Sequence, residues 1–163
     1  MIELMNLVLL DIDGTLIPSG KMSPDDETVH VHAEYQASFN ASVPLMEAIA
    51  ELNGDLTWLS TWGVQCNEGF GRVFGELPTL YSNETSKWWK CDALLRYATK
   101  TLPARPARVV WFDDEFYAHP EDVAQLHLDL ATQGIQLLCI ETHLLRGIQP
   151  ADVEQAAQFL SAS

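Results

Sequence analysis

Two aspartate groups, far apart in the chain, bring together the residue types that handle phosphate and hard cations. The first is Asp11-Ile12-Asp13-Gly14-Thr15-Leu16, directly after the apolar run Leu7-Val8-Leu9-Leu10. The second is Asp113-Asp114, directly after Val109-Val110-Trp111-Phe112. Alternation in the first turn lets Asp11 and Asp13 face a common space, and Gly14 permits a tight backbone path. An isolated Asp-x-Asp is ordinarily a capped turn, but the whole six-residue string after a buried strand favours chemistry. Two carboxylates ~5 Å apart repel by about 3 kcal/mol at an effective dielectric of about 20. Asp11, Asp13, Asp113 and Asp114 clustered together would therefore need a cation or a proton. Hard oxygen donors with no histidine–cysteine set beside them point to Mg²⁺.

Short apolar strands alternating with amphipathic helices must position these residues. Leu7–Asp11, Leu56–Ser60, Arg108–Asp113 and Gln136–Ile140 read as strands, the first and third as continuous apolar runs suited to burial on both faces. Helices are expected from Ser42 to about Asn53, from about Val64 to Phe74, from a Thr85 or Ser86 cap to about Thr101, from Pro120 to Gly134, and from Pro150. Such alternation implies a parallel sheet covered on both sides. In sheets of that kind, ligands bind beyond the carboxyl ends of the strands. Those ends carry Asp11, then Ser60 or Thr61, then Asp113-Asp114. The stretch at about 17–42 breaks the rhythm; Thr28-Val29-His30-Val31-His32-Ala33 alternates as an extended strand or hairpin.

The 163 residues carry 47% hydrophobic and 20% charged side chains, which fits one ordinary domain and excludes disorder and fibrous repeats. Nine lysines and arginines against 23 aspartates and glutamates give a net charge of −14. So acidic a chain repels phosphate backbones and anionic membranes, so no extensive nucleic-acid face and no membrane contact are expected. The start lacks a basic segment before its apolar run and no run has the ~18 apolar residues of a membrane span, so a cytoplasmic protein is expected. Cys66, Cys91 and Cys139 are odd in number and widely spaced, as buried thiols would be. Trp58 and Trp111 lie within strands and read as core. Trp62, Trp88 and Trp89 lie near the chemistry, where a ring could stack on a base. His30 and His32 share a strand face and read as surface residues; His119, His127 and His143 read as structural or exposed.

Asp11-Ile12-Asp13-Gly14-Thr15-Leu16 resembles the first motif of the haloacid dehalogenase (HAD) superfamily of phosphotransferases. The later motifs come in order: a strand ending in Ser60, a lysine opening a helix, and a strand ending in Asp113-Asp114. Trp58-Leu59-Ser60-Thr61-Trp62 together with Trp111-Phe112-Asp113-Asp114-Glu115 is similar to the small HAD domains associated with Swiss Army Knife RNA-repair proteins. The resemblance implies one three-layer α/β/α domain over residues 1–163, a doubly wound parallel Rossmannoid sheet without a substantial cap. It implies Asp11 as the nucleophile and Asp13 as the general acid and base. The Asp11 and Asp113 carboxylates and the Asp13 carbonyl would hold Mg²⁺, with Asp114 as a further acidic contact. Ser60 would contact a phosphoryl oxygen and Lys90 would neutralise charge. Thr61 competes with Ser60, and Lys87 with Lys90; a helix cap and a solvated lysine are the plainer readings of each pair.

The expected activity is Mg²⁺-dependent hydrolysis of a phosphomonoester, the substrate being a small molecule, a nucleotide or a polynucleotide end. The alternative is a catalytically silent module of the same fold that binds or regulates. A phospho-accepting receiver domain also sets aspartates at strand ends around Mg²⁺, but its phospho-acceptor comes after the acidic pair, the reverse of the order here.

Overall fold

The computed structural model describes residues 5–20, 26–30, 38–101 and 106–162. The first apolar run forms β1 (Asn6–Leu10), buried at every position. Next in the chain is an antiparallel hairpin, β2 (Asp26–His30) on β3 (Ser38–Ser42), with Asp26 opposite Ser42 and His30 opposite Ser38. It is the expected excursion between the first strand and the first helix; Val31, His32 and Ala33 lie outside the described residues. β3 runs straight into α1 (Val43–Ala50), where the Leu45 amide donates to the Ser42 hydroxyl at 3.4 Å and Pro44 sits in the first turn.

After α1 come β4 (Asp55–Trp58), α2 (Gln65–Phe74), α3 (Trp89–Arg96), which runs on into a π-helical turn over Tyr97–Thr101, and β5 (Arg108–Asp113). A 3-10 turn at Phe116–Ala118, α4 (Pro120–Ala131), β6 (Gln136–Glu141) and α5 (Pro150–Ser161) complete the described chain. The main sheet has the order β4-β1-β5-β6, and every neighbouring pair is parallel. Leu10 pairs with Trp58 on one side and with Phe112 on the other, which fixes the register at the sheet's carboxyl edge.

Because β1 is buried on both faces, its side chains divide between two cores. Val8 and Leu10 join Met46 and Ile49 of α1, Phe70 of α2 and Val153 and Leu160 of α5. Leu7 and Leu9 join Leu94 of α3 and Leu126 and Leu130 of α4. The sheet is thus flanked by helices on both faces. Trp58 and Trp111 are completely buried, one in each core.

Several boundaries differ from the sequence reading. The first helix stops at Ala50, and Gly54 lies so close to β1 that a Cβ there would meet Val8 at 3.0 Å. β4 ends at Trp58, although the Leu59 amide still donates to the Leu10 carbonyl at 2.9 Å before the chain turns at Ser60. The third helix begins at Trp89 and not at Thr85 or Ser86, because the Glu84 carboxylate accepts from both their amides and from the Ser86 hydroxyl. A hydroxyl spent on a preceding carboxylate is not available to cap a helix. All three cysteines are free; Cys66 and Cys91 are buried, Cys139 partly so. Among the described residues, no helix is long and apolar enough to cross a membrane.

Candidate active site

β1 is flanked by β4, the next strand of the parallel sheet along the chain, and by β5, reached only after the chain crosses back. The crevice at the carboxyl ends of β1 and β5 is therefore a topological switch point, the place where open parallel sheets form sites. Asp11 immediately follows β1 and Asp113 ends β5. The Asp11 amide donates to the Phe112 carbonyl at 3.1 Å, so the two aspartates leave the sheet side by side. Oxygens of Asp11, Asp113 and Asp114 all lie within 4.8 Å of one another.

Lys90 reaches this group from the first turn of α3. Its ammonium is 2.7 Å from Asp113 Oδ2, 3.1 Å from Asp11 Oδ1 and 3.5 Å from Glu115 Oε2, and the residue is 1% exposed. The other Asp113 oxygen accepts from the Glu115 amide at 3.0 Å. Burial by itself would depress the Lys90 ammonium, but the Asp11 and Asp113 charges more than reverse that and hold it protonated. Lys87 instead remains outside, 3.5 Å from Asp92, and takes no part in the group.

One ammonium does not balance these carboxylates. Burial, and after it the Asp113 charge, push Asp11 up to about 8 against the pull of Lys90. Burial also raises Asp113, despite Lys90, and raises Asp114 with help from Asp113 and Glu115. The surplus negative charge is what a proton or a divalent cation would neutralise. The three carboxylates could hold a metal ion: their oxygens are hard donors of the kind that hold divalent cations such as Mg²⁺, and Asp114 is only partly buried.

The turn after β1 has the shape its glycine permits. Gly14 has φ +71°, and a Cβ on it would collide with the Asp114 carboxylate. The Gly14 amide donates to the Ile17 carbonyl at 2.9 Å, closing the turn, while Ile12 drops into the core. From the far side, the Thr142 hydroxyl donates to the Gly14 carbonyl at 2.9 Å and lies 3.1 Å from the Thr15 hydroxyl. The Ile148 amide adds a bond to the Thr15 carbonyl at 2.9 Å. Thr142 is a supporting residue that the sequence reading missed. It directly follows β6, so the rule that sites gather at strand ends would have flagged it.

Asp13 does not join Asp11. Its side chain is exposed, and its Oδ2 accepts from the Trp62 indole N–H at 2.9 Å. Trp62 is half-buried against Phe39 of β3 and Phe70 of α2, with ring centres at 5.1 and 6.1 Å. Its position near the chemistry was legible; its role as a hydrogen-bond partner of Asp13 was not. Ser60 is buried at the end of the β4 segment, with its hydroxyl accepting from the Trp62 amide at 3.3 Å, whereas Thr61 is exposed. Cys66, at the start of α2, is raised to about 12 by burial and by the Asp11 charge, which keeps it a neutral thiol.

Family models, curated proteins and solved structures yield no match to this chain.

The remaining aromatic candidates separate clearly. Trp88 is buried between Trp111, 5.1 Å away and stacked, and His119, 4.3 Å away and nearly parallel, so its faces are not available to a base. Trp89 is half-buried and meets the exposed ring of Tyr81 at 5.7 Å. These two line an open groove of about 730 Å³ that begins at Ser60 and Thr61. A second cavity of about 390 Å³ lies behind Thr15, between α1 and the start of α5; neither space is lined by a site carboxylate, and the groove alone includes Ser60.

Proposed function

We propose that the chain is a Mg²⁺-dependent phosphomonoester hydrolase of the HAD type, acting through an aspartyl-phosphate on a small phosphate ester, a nucleotide or a polynucleotide end. The observation that carries this reading is the meeting of Asp11, Asp113 and Asp114 within 4.8 Å, with the Lys90 ammonium on two of them. Mg²⁺, held by Asp11, Asp113 and Asp114 with the Asp13 carbonyl, would offset negative charge on the phosphoryl oxygens.

In this reading an Asp11 carboxylate oxygen attacks phosphorus as the ester P–O bond breaks, and Asp13 gives its proton to the departing alkoxide. Water then attacks the acyl phosphate, surrendering a proton to Asp13 and returning the Asp11 carboxylate. Lys90 orients Asp11 and lowers the cost of ionising it, and Ser60 donates to a non-bridging oxygen. The exposed position of Asp13 suits a group that must meet a leaving oxygen arriving from solvent. Trp62 holds its carboxylate beside the cleft in the meantime.

Phosphate release from an aryl phosphate in Mg²⁺ tests the proposal. The native chain turns over, chelator stops it, and Asp11→Asn loses at least ~1000-fold, the scale on which removal of a nucleophile acts. Equal inactivity of the two proteins across many esters would replace the hydrolase with a silent binding module.

A further inference from the structure

We propose that the groove beside Ser60 is the leaving-group subsite and that it takes the flat, uncharged base of a nucleoside monophosphate. The inference rests on the hydrolase reading and narrows it. One wall is the turn at Thr61–Val64, and the other is the loop at Thr79–Thr85 with Trp89 behind it. Val64 and Tyr81 are 76% and 78% exposed, among the most exposed large apolar side chains of the described residues, and both line this groove. Exposed apolar side chains that share one concave surface mark a binding site far better than scattered ones do.

The Tyr81 wall is built rather than loose. The neighbours Leu80 and Ser82 are both buried, which sends the ring between them outward. Upstream, Trp58 and Thr79 form a parallel bridge, and the Leu80 amide donates to the Trp58 carbonyl at 2.9 Å. Downstream, the Ser82 hydroxyl donates to Asp92 Oδ2 at 2.5 Å. Ser60 and Tyr81 each come two residues after that bridge, so the aromatic wall starts level with the hydroxyl assigned to the phosphoryl group. Tyr81 and Trp89, tilted at 41° with ring centres 5.7 Å apart, thus offer aromatic surface in the groove that Ser60 also lines.

Charge chooses among ring-bearing esters. No lysine or arginine lines the groove, whereas Glu84 does, ionised and pulled down to about 2 chiefly by the Ser86 amide. A second phosphate would meet that carboxylate, on which Lys87, outside the groove, has the weakest of the influences, so a mononucleotide fits better than a polyphosphate or strand. Thr61, Thr79 and Asn83 supply hydroxyl and amide groups for the sugar and the base edge.

Phosphate release is compared for adenosine 5′-monophosphate and ribose 5-phosphate in the native chain, Tyr81→Ala and the surface control Leu128→Ala. The native chain favours the base-bearing ester about tenfold in kcat/KM, the order that one stacked base supplies. Tyr81→Ala lowers kcat/KM for the nucleotide about tenfold more than for ribose 5-phosphate, and Leu128→Ala alters neither. Equal rates for the two esters, or preference for a 5′-phosphorylated oligonucleotide, overturn the subsite while the hydrolase stands. Should no ester turn over, adenosine titrated against tryptophan fluorescence decides. Saturable quenching lost in Tyr81→Ala keeps the subsite without the hydrolase, and no saturable quenching overturns both.

Discussion

Asp11 concentrates the energetic conflict of the molecule. Burial raises its pKa from 3.8 to about 8, so the folded state prefers it neutral while the unfolded chain ionises it at ordinary acidity. A raised carboxyl contributes stability that is whole below about 4 and is lost as pH climbs towards about 8. In chelator, therefore, the unfolding midpoint falls across that interval, and Asp11→Asn flattens the fall; thermal scans at stepped pH check both. If the proposed function holds, Mg²⁺ erases most of the slope, because a divalent cation binds ionised carboxylates. Gly14 raises a different constraint. Gly14→Ala places a methyl group against the Asp114 carboxylate at a φ of +71°. We expect Mg²⁺ affinity to drop at least ~10-fold with only about 1–2 kcal/mol lost from the fold. Calorimetric titration beside urea unfolding separates the two, and undiminished Mg²⁺ affinity would show that Asp114 has no part in holding the ion.

The segment that carries the groove wall is held against β4 by Asn67 of α2. Asn67 Oδ1 accepts from the Trp58 indole and from the Leu77 amide, each at 2.9 Å, and its amide donates to the Leu77 carbonyl at 2.9 Å. Asn67→Ala leaves a buried indole N–H without a partner, which costs about 2 kcal/mol. Amide exchange at Leu77 and Leu80 should quicken while that in β5 stays slow. Uniform acceleration throughout the sheet would mean that Asn67 supports the whole fold and not this one edge. The start of α3 shows the same dependence on a remote group. The Trp88 amide donates to Asp122 Oδ2 of α4 at 2.8 Å, so the helix that delivers Lys90 is fixed from a neighbouring helix and not by a cap of its own.

The chain as a whole carries a net charge of −14, and the described site draws on one buried lysine to hold its carboxylates. A surface so acidic repels polyanions. The protein should pass through a heparin column at low salt and leave duplex DNA unshifted at physiological salt. Retention on either would place a basic surface somewhere that the overall charge conceals. Lys90→Met leaves two buried carboxylates without their ammonium and is expected to destabilise the metal-free protein by about 3–5 kcal/mol. Urea unfolding with and without Mg²⁺ measures how far the ion can take over from the ammonium.

Strand positions, the hairpin excursion and the aspartates at the strand ends were legible because hydrophobic runs and their punctuation are local properties. A strand such as Leu7–Leu10 must be apolar to lie between two helix layers, and the charged turn beyond its last residue must leave the sheet. Choices between neighbouring residues were not local. Lys90 and not Lys87 enters the site because α3 starts at Trp89, and that start depends on Glu84 and Asp122. The Asp13 carboxylate accepts from the indole of Trp62, 49 positions away, and stays outside the Asp11, Asp113 and Asp114 cluster. Tyr81 faces the groove because distant partners bury the residues on either side of it. Each outcome depends on which hydrogen-bonding groups the folded chain brings within about 3 Å, a distance that periodicity along a sequence does not encode.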